Sequence, residues 1–261
     1  MIFLKGPSTG GALRHISRNA CAEIHRSIAS AQWYLQKGTV MKTVIHVMRH
    51  GEVDNPDGIL YGRLPGYGLT DLGIEMAEAV AEYFVDSGAD ITHVIASPLL
   101  RAQMSAAPTA LAYELEIEHD HNLIEAESVF EGVAVNANPW VLARPEYWRY
   151  YVNPLRPSWG ESYAHAAQRM TRAVARALRE ARGHEALLVS HQMPIVSLQR
   201  LIRHQPLGHS PLSRQCSLAS LTSLIFDDDV LVGMTYHEPA AHLLSKASDM
   251  VPGVSEAQLK R

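Results

Sequence analysis

Thr43-Val-Ile-His-Val-Met-Arg49-His50-Gly51 decides the fold: an apolar run ends abruptly on an arginine, a histidine and a glycine. A buried strand that stops this way delivers a cation, a nucleophile or base, and a compact turn to one point at the carboxyl edge of a sheet, where open α/β folds place their ligands. Two further stretches repeat the pattern. Ile91-Thr-His-Val-Ile-Ala96 runs into Ser97-Pro98-Leu-Leu-Arg101 and a helix-forming segment. There Ser97 reads as an N-cap with Pro98 at the first helical position, which puts Arg101 one turn inside a helix whose positive end faces the sheet edge. Glu185-Ala-Leu-Leu-Val-Ser-His191 is a third apolar run, ending on histidine and followed by the helical Met193 to Ile202. Three strand-to-helix transitions thus converge Arg49, His50, Arg101 and His191.

These motifs resemble the histidine phosphatase superfamily, the phosphoglycerate mutase-like proteins. The correspondence runs in order through Arg49-His50-Gly51-Glu52, Ser97-Pro98-Leu99 with Arg101-Ala102, and Ser190-His191, over roughly residues 43 to 240. Between the last two, Leu123-Ile124-Glu125 followed by Phe130-Glu131-Gly132 is similar to the segment that carries the family's proton donor, which makes Glu125 the first candidate and Glu127 the second. Gly62-Arg63, Leu69-Thr70 and Gly73 fit the stretch after the first motif, and Gly160-Glu161-Ser162 resembles a segment common in the family. The resemblance also places Asn55 and Arg63 among the residues that contact phosphate. Three positions depart from the pattern. Val53 stands where a hydroxyl residue commonly follows the first motif, Asn55 falls one residue short of the usual asparagine, and Gln192 replaces a glycine after the second histidine, where it narrows the pocket or adds an amide donor.

The residue types suit phosphoryl chemistry for reasons independent of the family. A phosphoryl group carries up to two negative charges, so its pocket needs several donors aimed at the equatorial oxygens, and Arg49, Arg101 and His191 can supply them. Positive neighbours disfavour the imidazolium form of His50 and leave a neutral nitrogen to attack phosphorus. The implied intermediate is a phosphohistidine. The leaving alkoxide needs a proton from a carboxyl such as Glu125, which afterwards, as a carboxylate, can activate water. The expected activity is therefore metal-free hydrolysis of a small phosphorylated metabolite, with no cofactor. A phosphoglycerate mutase-type phosphotransferase is the rival enzyme, and a non-catalytic phosphate-binding regulatory protein is the rival outside catalysis.

With 261 residues, 47% of them hydrophobic, the chain can bury one sizeable core, and its strand-helix alternation predicts one three-layer α/β/α domain around a mostly parallel sheet. A net charge of −4 argues against nucleic acid or anionic membrane as partner. Two cysteines, Cys21 and Cys216, are too few for a disulfide framework, and no run of about eighteen apolar residues occurs; a cytoplasmic protein is expected. Oligomeric state is not legible. The GxSxG, HExxH and GxxxxGK[ST] signatures do not occur.

The domain is expected over residues 43–240. Residues 1–42 read as an N-terminal extension, with Lys5, Arg14, Arg18, Arg26 and Lys37 against the single acid Glu23 up to Val40. That composition fits a transit-like segment, or a start at Met41, the preferred reading. Residues 241–261 read as a polar tail. Asp54 to Gly68 and the aromatic, arginine-bearing Val133 to Trp159 are the two insertions expected to set specificity, the second either covering the pocket or packing on the domain surface.

Overall fold

A computed structural model of the chain describes residues 40–134, 139–150, 160–209 and 214–248. Everything below concerns the unit that begins at Met41. Strand β1 (Lys42–Arg49) is buried almost throughout and forms the axis of a six-stranded sheet. The other strands are β2 (Ile91–Ala96), β3 (Ile117–His119), β4 (Glu185–Ser190), β5 (Leu221–Asp227) and β6 (Val230–His237). The sheet order is β3-β2-β4-β1-β5-β6; the first four strands are mutually parallel, and β5 and β6 form an antiparallel hairpin on one edge. The turn of that hairpin is Asp228-Asp229, with Asp228 at φ 52°, a left-handed conformation that aspartate tolerates better than most residues.

Four helices complete the layers: α1 (Asp71–Ser87), α2 (Leu100–Ala112), α3 (Tyr163–Glu180) and α4 (Gln192–Ile202). Thr70 caps α1 by accepting from the Gly73 N–H at 2.9 Å, and Gly88 ends it at φ 66°; Ser162 caps α3 by accepting from the His165 N–H at 3.2 Å. Strand alternation divides the core in two. Leu187 and Val189 of β4 join Met48 and Val94 against Met76, Val80 and Phe84 of α1 and Ala102 and Ala106 of α2. Ala186 and Leu188 join Ile45, Val47 and Ile95 against Met170 and Val174 of α3 and Ile195 and Val196 of α4. Each fully buried Leu or Val contributes about 1.5–3 kcal/mol, so the two-sided burial holds the strand ends rigidly in register. Among the described residues no helix is long and apolar enough to cross a membrane.

Three local expectations need correction. Ser97 does not cap a helix that starts at Pro98: α2 begins at Leu100 after Leu99, and the Ser97 hydroxyl turns to His191 instead. The apolar run from Leu218 to Phe226 reads as one strand, but β5 starts only at Leu221, because Ala219 adopts φ 52° and Ser220 donates its N–H back to the Ser217 carbonyl in a turn. The tail is no tail up to Ser248: Ala240 and Leu243 are buried in the α1–α2 side of the core, with Leu244 and Ala247 packed beside them. The remaining expectations for residues 1–39 and 249–261 lie outside the described residues.

Candidate active site

Arg49 of β1 pairs with Ser190 of β4, so the next residues, His50 and His191, leave adjacent parallel strands side by side. Their ring centroids are 5.2 Å apart and the planes are inclined by 58°. The backbone ladder continues past the strand ends: His50 N–H donates to the Ser190 carbonyl at 3.2 Å and Ser97 N–H to the Val189 carbonyl at 2.9 Å. The carboxyl ends of β1, β2 and β4 are therefore level, which is how residues far apart in the chain meet.

His50 is 2% exposed, and its Nδ1 lies 2.8 Å from the Gly51 carbonyl oxygen. A carbonyl can only accept, so Nδ1 carries the proton and Nε2 of the neutral ring holds a lone pair. Burial first, then the charges of Arg101 and Arg49, keep the His50 pKa well below the ordinary 6.5. The turn that carries it must be glycine: a Cβ on Gly51 would lie 2.4 Å from the Gly73 carbonyl oxygen. Gly51 N–H donates to Ser105 Oγ at 3.0 Å, and that hydroxyl donates to the Arg101 carbonyl at 2.7 Å, tying the first motif to α2. Glu52 is structural. Its carboxylate accepts from Thr70 Oγ1 and from the Ser248 N–H, both at 2.6 Å, and so fastens the α1 cap and the C-terminal segment together.

Two arginines stand by the histidine. Arg49 is 4% exposed and donates from Nη1 to the Cys216 carbonyl at 2.7 Å. Arg101 is wholly buried; it donates from Nη2 to the Gly62 carbonyl at 2.7 Å and lies 4.7 Å from the centroid of the Tyr61 ring. His191 is also wholly buried, with Nε2 2.8 Å from Ser97 Oγ, and burial followed by the Arg101 charge pushes its pKa well below 6.5. Two buried nitrogens, Arg101 Nε and His191 Nδ1, have no hydrogen-bond partner among the described residues. Polar nitrogens left so are what an oxyanion would satisfy.

A cavity of about 240 Å³ opens over His50 and Arg49, lined also by Tyr61, Glu125, Glu127, Glu161, Gln192 and Arg214. Arg101 and His191, wholly buried, are not among the lining residues. Both candidate acids reach the cavity, but they differ in setting. The charge of Glu125 acts on Arg101 and on Arg214, whereas the Glu127 side chain is 70% exposed and lies 3.8 Å from Arg63. Of these two acids, Glu125 is the one whose charge acts on the buried arginines. Its loop is pinned from behind: a Cβ on Gly160 would lie 1.9 Å from the Glu127 carbonyl oxygen, and Glu161 N–H donates to that oxygen at 3.0 Å.

Arg63 and Asn55, both expected at the phosphate, are engaged elsewhere in the structure. Arg63 does not line the cavity; it donates from Nε to the Glu125 carbonyl at 2.8 Å and from Nη2 to Glu161 at 3.2 Å, so it braces the acid loop. Arg169 completes the brace with bonds of 2.8 and 2.9 Å to Glu161. The Asn55 side chain exchanges two hydrogen bonds with the Ile59 backbone, at 2.9 and 3.0 Å, and shapes its own loop. Short polar side chains close turns in this way, and a motif match one residue out of step does not distinguish the two uses. Of the insertions, Leu60, Tyr61 and Gly62 line the cavity; Tyr147 and Tyr150 set their ring edges against Phe130, which also lines it, while Trp140 and Trp148 are 81% and 62% exposed. Sequence reading missed Arg214 and Tyr163, both in the lining. Arg214 lies in no motif, and a single arginine ahead of a strand carries no signal of its own. Gln192, singled out as a possible amide donor, accepts from Arg214 Nη1 through Oε1 at 3.1 Å.

The Histidine phosphatase superfamily (branch 1) profile matches residues 45–237, and the chain belongs to that family. An uncharacterized protein of Mycobacterium tuberculosis is 48% identical over 200 residues, which cover 77% of this chain and 98% of that protein. A probable phosphoglycerate mutase of Yersinia pestis is 30% identical over 184 residues, 67% of this chain and 82% of the other. Among solved structures, a mycobacterial glucosyl-3-phosphoglycerate phosphatase superposes with a TM-score of 0.59 at 23% identity, covering 76% of this chain and 98% of that one. A putative α-ribazole-5′-P phosphatase of Escherichia coli gives 0.59 at 22% identity, covering 82% and 99%. At such identities the superpositions establish the fold, and family membership makes the protein an enzyme of phosphatase or mutase type.

Proposed function

We propose that the protein hydrolyses a small phosphomonoester through a phosphohistidine on His50. The observation that carries this reading is the tautomer: Nδ1 is committed to the Gly51 carbonyl at 2.8 Å, and Nε2 keeps its lone pair in a ring held neutral by burial and by two arginines. In the first step His50 Nε2 attacks phosphorus, the ester P–O bond breaks, and the Glu125 carboxyl gives its proton to the leaving oxygen. Arg49, Arg101 and His191 donate to the equatorial oxygens as charge spreads over them. In the second step the Glu125 carboxylate takes a proton from water as that water attacks phosphorus, and the P–N bond breaks to release phosphate. Two arginines already supply the positive charge, so no metal is required. Mixing with ³²P-labelled substrate and quenching within milliseconds should trap a phosphoenzyme that is acid-labile and base-stable, and absent from His50→Ala; a folded wild type that turns substrate over without one would refute the covalent route.

Similarity to a probable phosphoglycerate mutase supports a second reading, in which the phosphohistidine is passed back to a phosphorylated sugar acid rather than to water. Stimulation by a bisphosphorylated primer, with transfer outpacing phosphate release, would favour it. Rapid release of phosphate without primer favours hydrolysis.

A further inference from the structure

The attack on phosphorus leaves one buried cation unused. Arg214 lines the cavity yet is only 8% exposed. Its guanidinium is held by neutral partners, Gln192, His209 and the Tyr163 hydroxyl. Nη1 donates to Gln192 Oε1 at 3.1 Å, and Nε donates to His209 Nε2 at 3.0 Å. That imidazole is neutral by its own geometry: its Nδ1 is 2.6 Å from the Leu207 carbonyl oxygen and must carry the ring proton, leaving Nε2 to accept. Among the described residues no carboxylate lies within ion-pair distance of Arg214, and the acid whose charge reaches it is Glu125. In the proposed first step Glu125 is protonated. The cavity therefore holds a desolvated positive charge with no anion opposite it when substrate is bound, an arrangement that proteins ordinarily complete with a ligand.

The position separates this charge from the phosphoryl group. The charges that depress the His50 pKa are those of Arg101 and Arg49. Arg214 sits instead beside Gln192 and Tyr163, the first residues of α4 and α3, on the part of the wall that continues into Met193 and Phe130. Its segment is anchored by Gln199 Nε2, which donates to the Gln215 carbonyl at 3.3 Å, so the side chain is set in place before any ligand arrives. The apolar stretch of wall suits a short carbon skeleton.

We infer that Arg214 binds a second anionic group carried by the leaving group, so that the substrate is a small phosphomonoester bearing a carboxylate or a second phosphate. The inference rests on the His50 chemistry proposed above. Gln192 is then a positioning residue: its acceptor oxygen orients the guanidinium toward the bound anion.

Three probes separate the possibilities: the phosphate monoester of 3-hydroxypropanoate, that of 3-hydroxypropanamide, and propane-1,3-diyl bisphosphate, each assayed by phosphate release with the full chain. Wild type should favour the acid or the bisphosphate over the amide by about tenfold or more in kcat/KM, as a charge-assisted contact made in a desolvated site would. Arg214→Gln should bring that ratio close to one, Arg214→Lys should keep part of it, and Gln192→Leu should lower it by a smaller factor. Preference for the acid alone identifies a carboxylate as the partner; preference for the bisphosphate alone identifies a phosphate. A wild-type ratio near one for both anionic probes overturns the inference. So does an equal loss on all three probes in folded Arg214→Gln, which would assign the residue to the transferring phosphoryl group. Trapping the phosphoenzyme with an aryl phosphate on the same preparations keeps the two ideas apart: a phosphoenzyme with flat ratios sinks only the role of Arg214, whereas no phosphoenzyme sinks the chemistry beneath it.

Discussion

Ser97 Oγ and His191 Nε2 lie 2.8 Å apart, both atoms fully buried, at the ends of two neighbouring parallel strands. The Leu99 N–H approaches the same oxygen at 3.4 Å, which leaves the Ser97 hydroxyl hydrogen free to be donated. When Ser97 donates to Nε2, the His191 proton resides on Nδ1, the nitrogen that has no partner among the described residues, and the ring becomes a neutral hydrogen-bond donor. Ser97→Ala removes that preference. It should lower kcat by about tenfold with little change in KM, since one hydrogen bond oriented for the transition state is lost. Ser97→Thr, which keeps the hydroxyl, should recover most of the rate; equal losses in the two variants would mean that packing rather than tautomer is at stake.

The acid is assigned by leaving-group dependence. Glu125→Gln should reduce kcat/KM by about a hundredfold or more on alkyl phosphates and far less on an aryl phosphate that departs without help. Glu127→Gln, largely solvated, should stay near wild type on both. The reverse pattern would move the role to Glu127, and losses independent of leaving group would deny it to either carboxyl.

Vanadate should inhibit at concentrations well below those of phosphate, because its five-coordinate adduct on His50 resembles the phosphoryl-transfer transition state. Arg49→Ala and Arg101→Ala should each weaken vanadate more than phosphate. Activity should survive exhaustive treatment with chelator, and full recovery that depends on added Mg²⁺ or Zn²⁺ would contradict the metal-free mechanism.

Acid should act on stability through the same imidazoles. The folded-state pKa values of His50 and His191 lie well below 6.5, chiefly through burial. Below pH 6.5 the unfolded chain therefore binds more protons than the folded one, and stability falls with falling pH until the folded values are reached. Glu185, held below 4.5 chiefly by its hydrogen bond from His46, adds a second loss that begins only below about that value. The melting temperature measured from pH 7 to 5 should decline less steeply in a His50→Gln, His191→Gln double variant than in wild type. An unchanged slope would place the acid sensitivity in other groups.

Close backbone contact behind the acid loop is testable as well. Gly160→Ala puts a methyl carbon 1.9 Å from the Glu127 carbonyl oxygen, so the loop must move and carry Glu125 with it. The variant should lose both stability and kcat on alkyl phosphates, while Gly66→Ala, a surface glycine at φ 89° with open space around its Cβ position, should cost stability by about 1 kcal/mol and leave kcat largely intact.

Local pattern determined much of this protein. Apolar runs that end on Arg49-His50, on Ser97 and on Ser190-His191 are properties of contiguous residues, because strand burial and strand termination are written within a few positions of one another. The strands β1, β2 and β4, the helices that follow the last two, and the side chains Arg49, His50, Arg101 and His191 at their ends could be read from that alone. Glu125, with Glu127 second, followed from a resemblance; what folding adds is the difference in setting, the charge of one carboxyl acting on Arg101 and Arg214 and the other side chain standing 70% exposed. Register decided the rest. Pairing Arg49 with Ser190 sets the two imidazoles side by side and turns Ser97 from a helix cap into a partner of His191, while Arg63 and Asn55 each donate to a backbone carbonyl. Leu243 is drawn into the core, and Arg214 into the cavity wall. Such outcomes depend on which groups are desolvated together, and desolvation is a property of three-dimensional neighbours that no stretch of sequence contains.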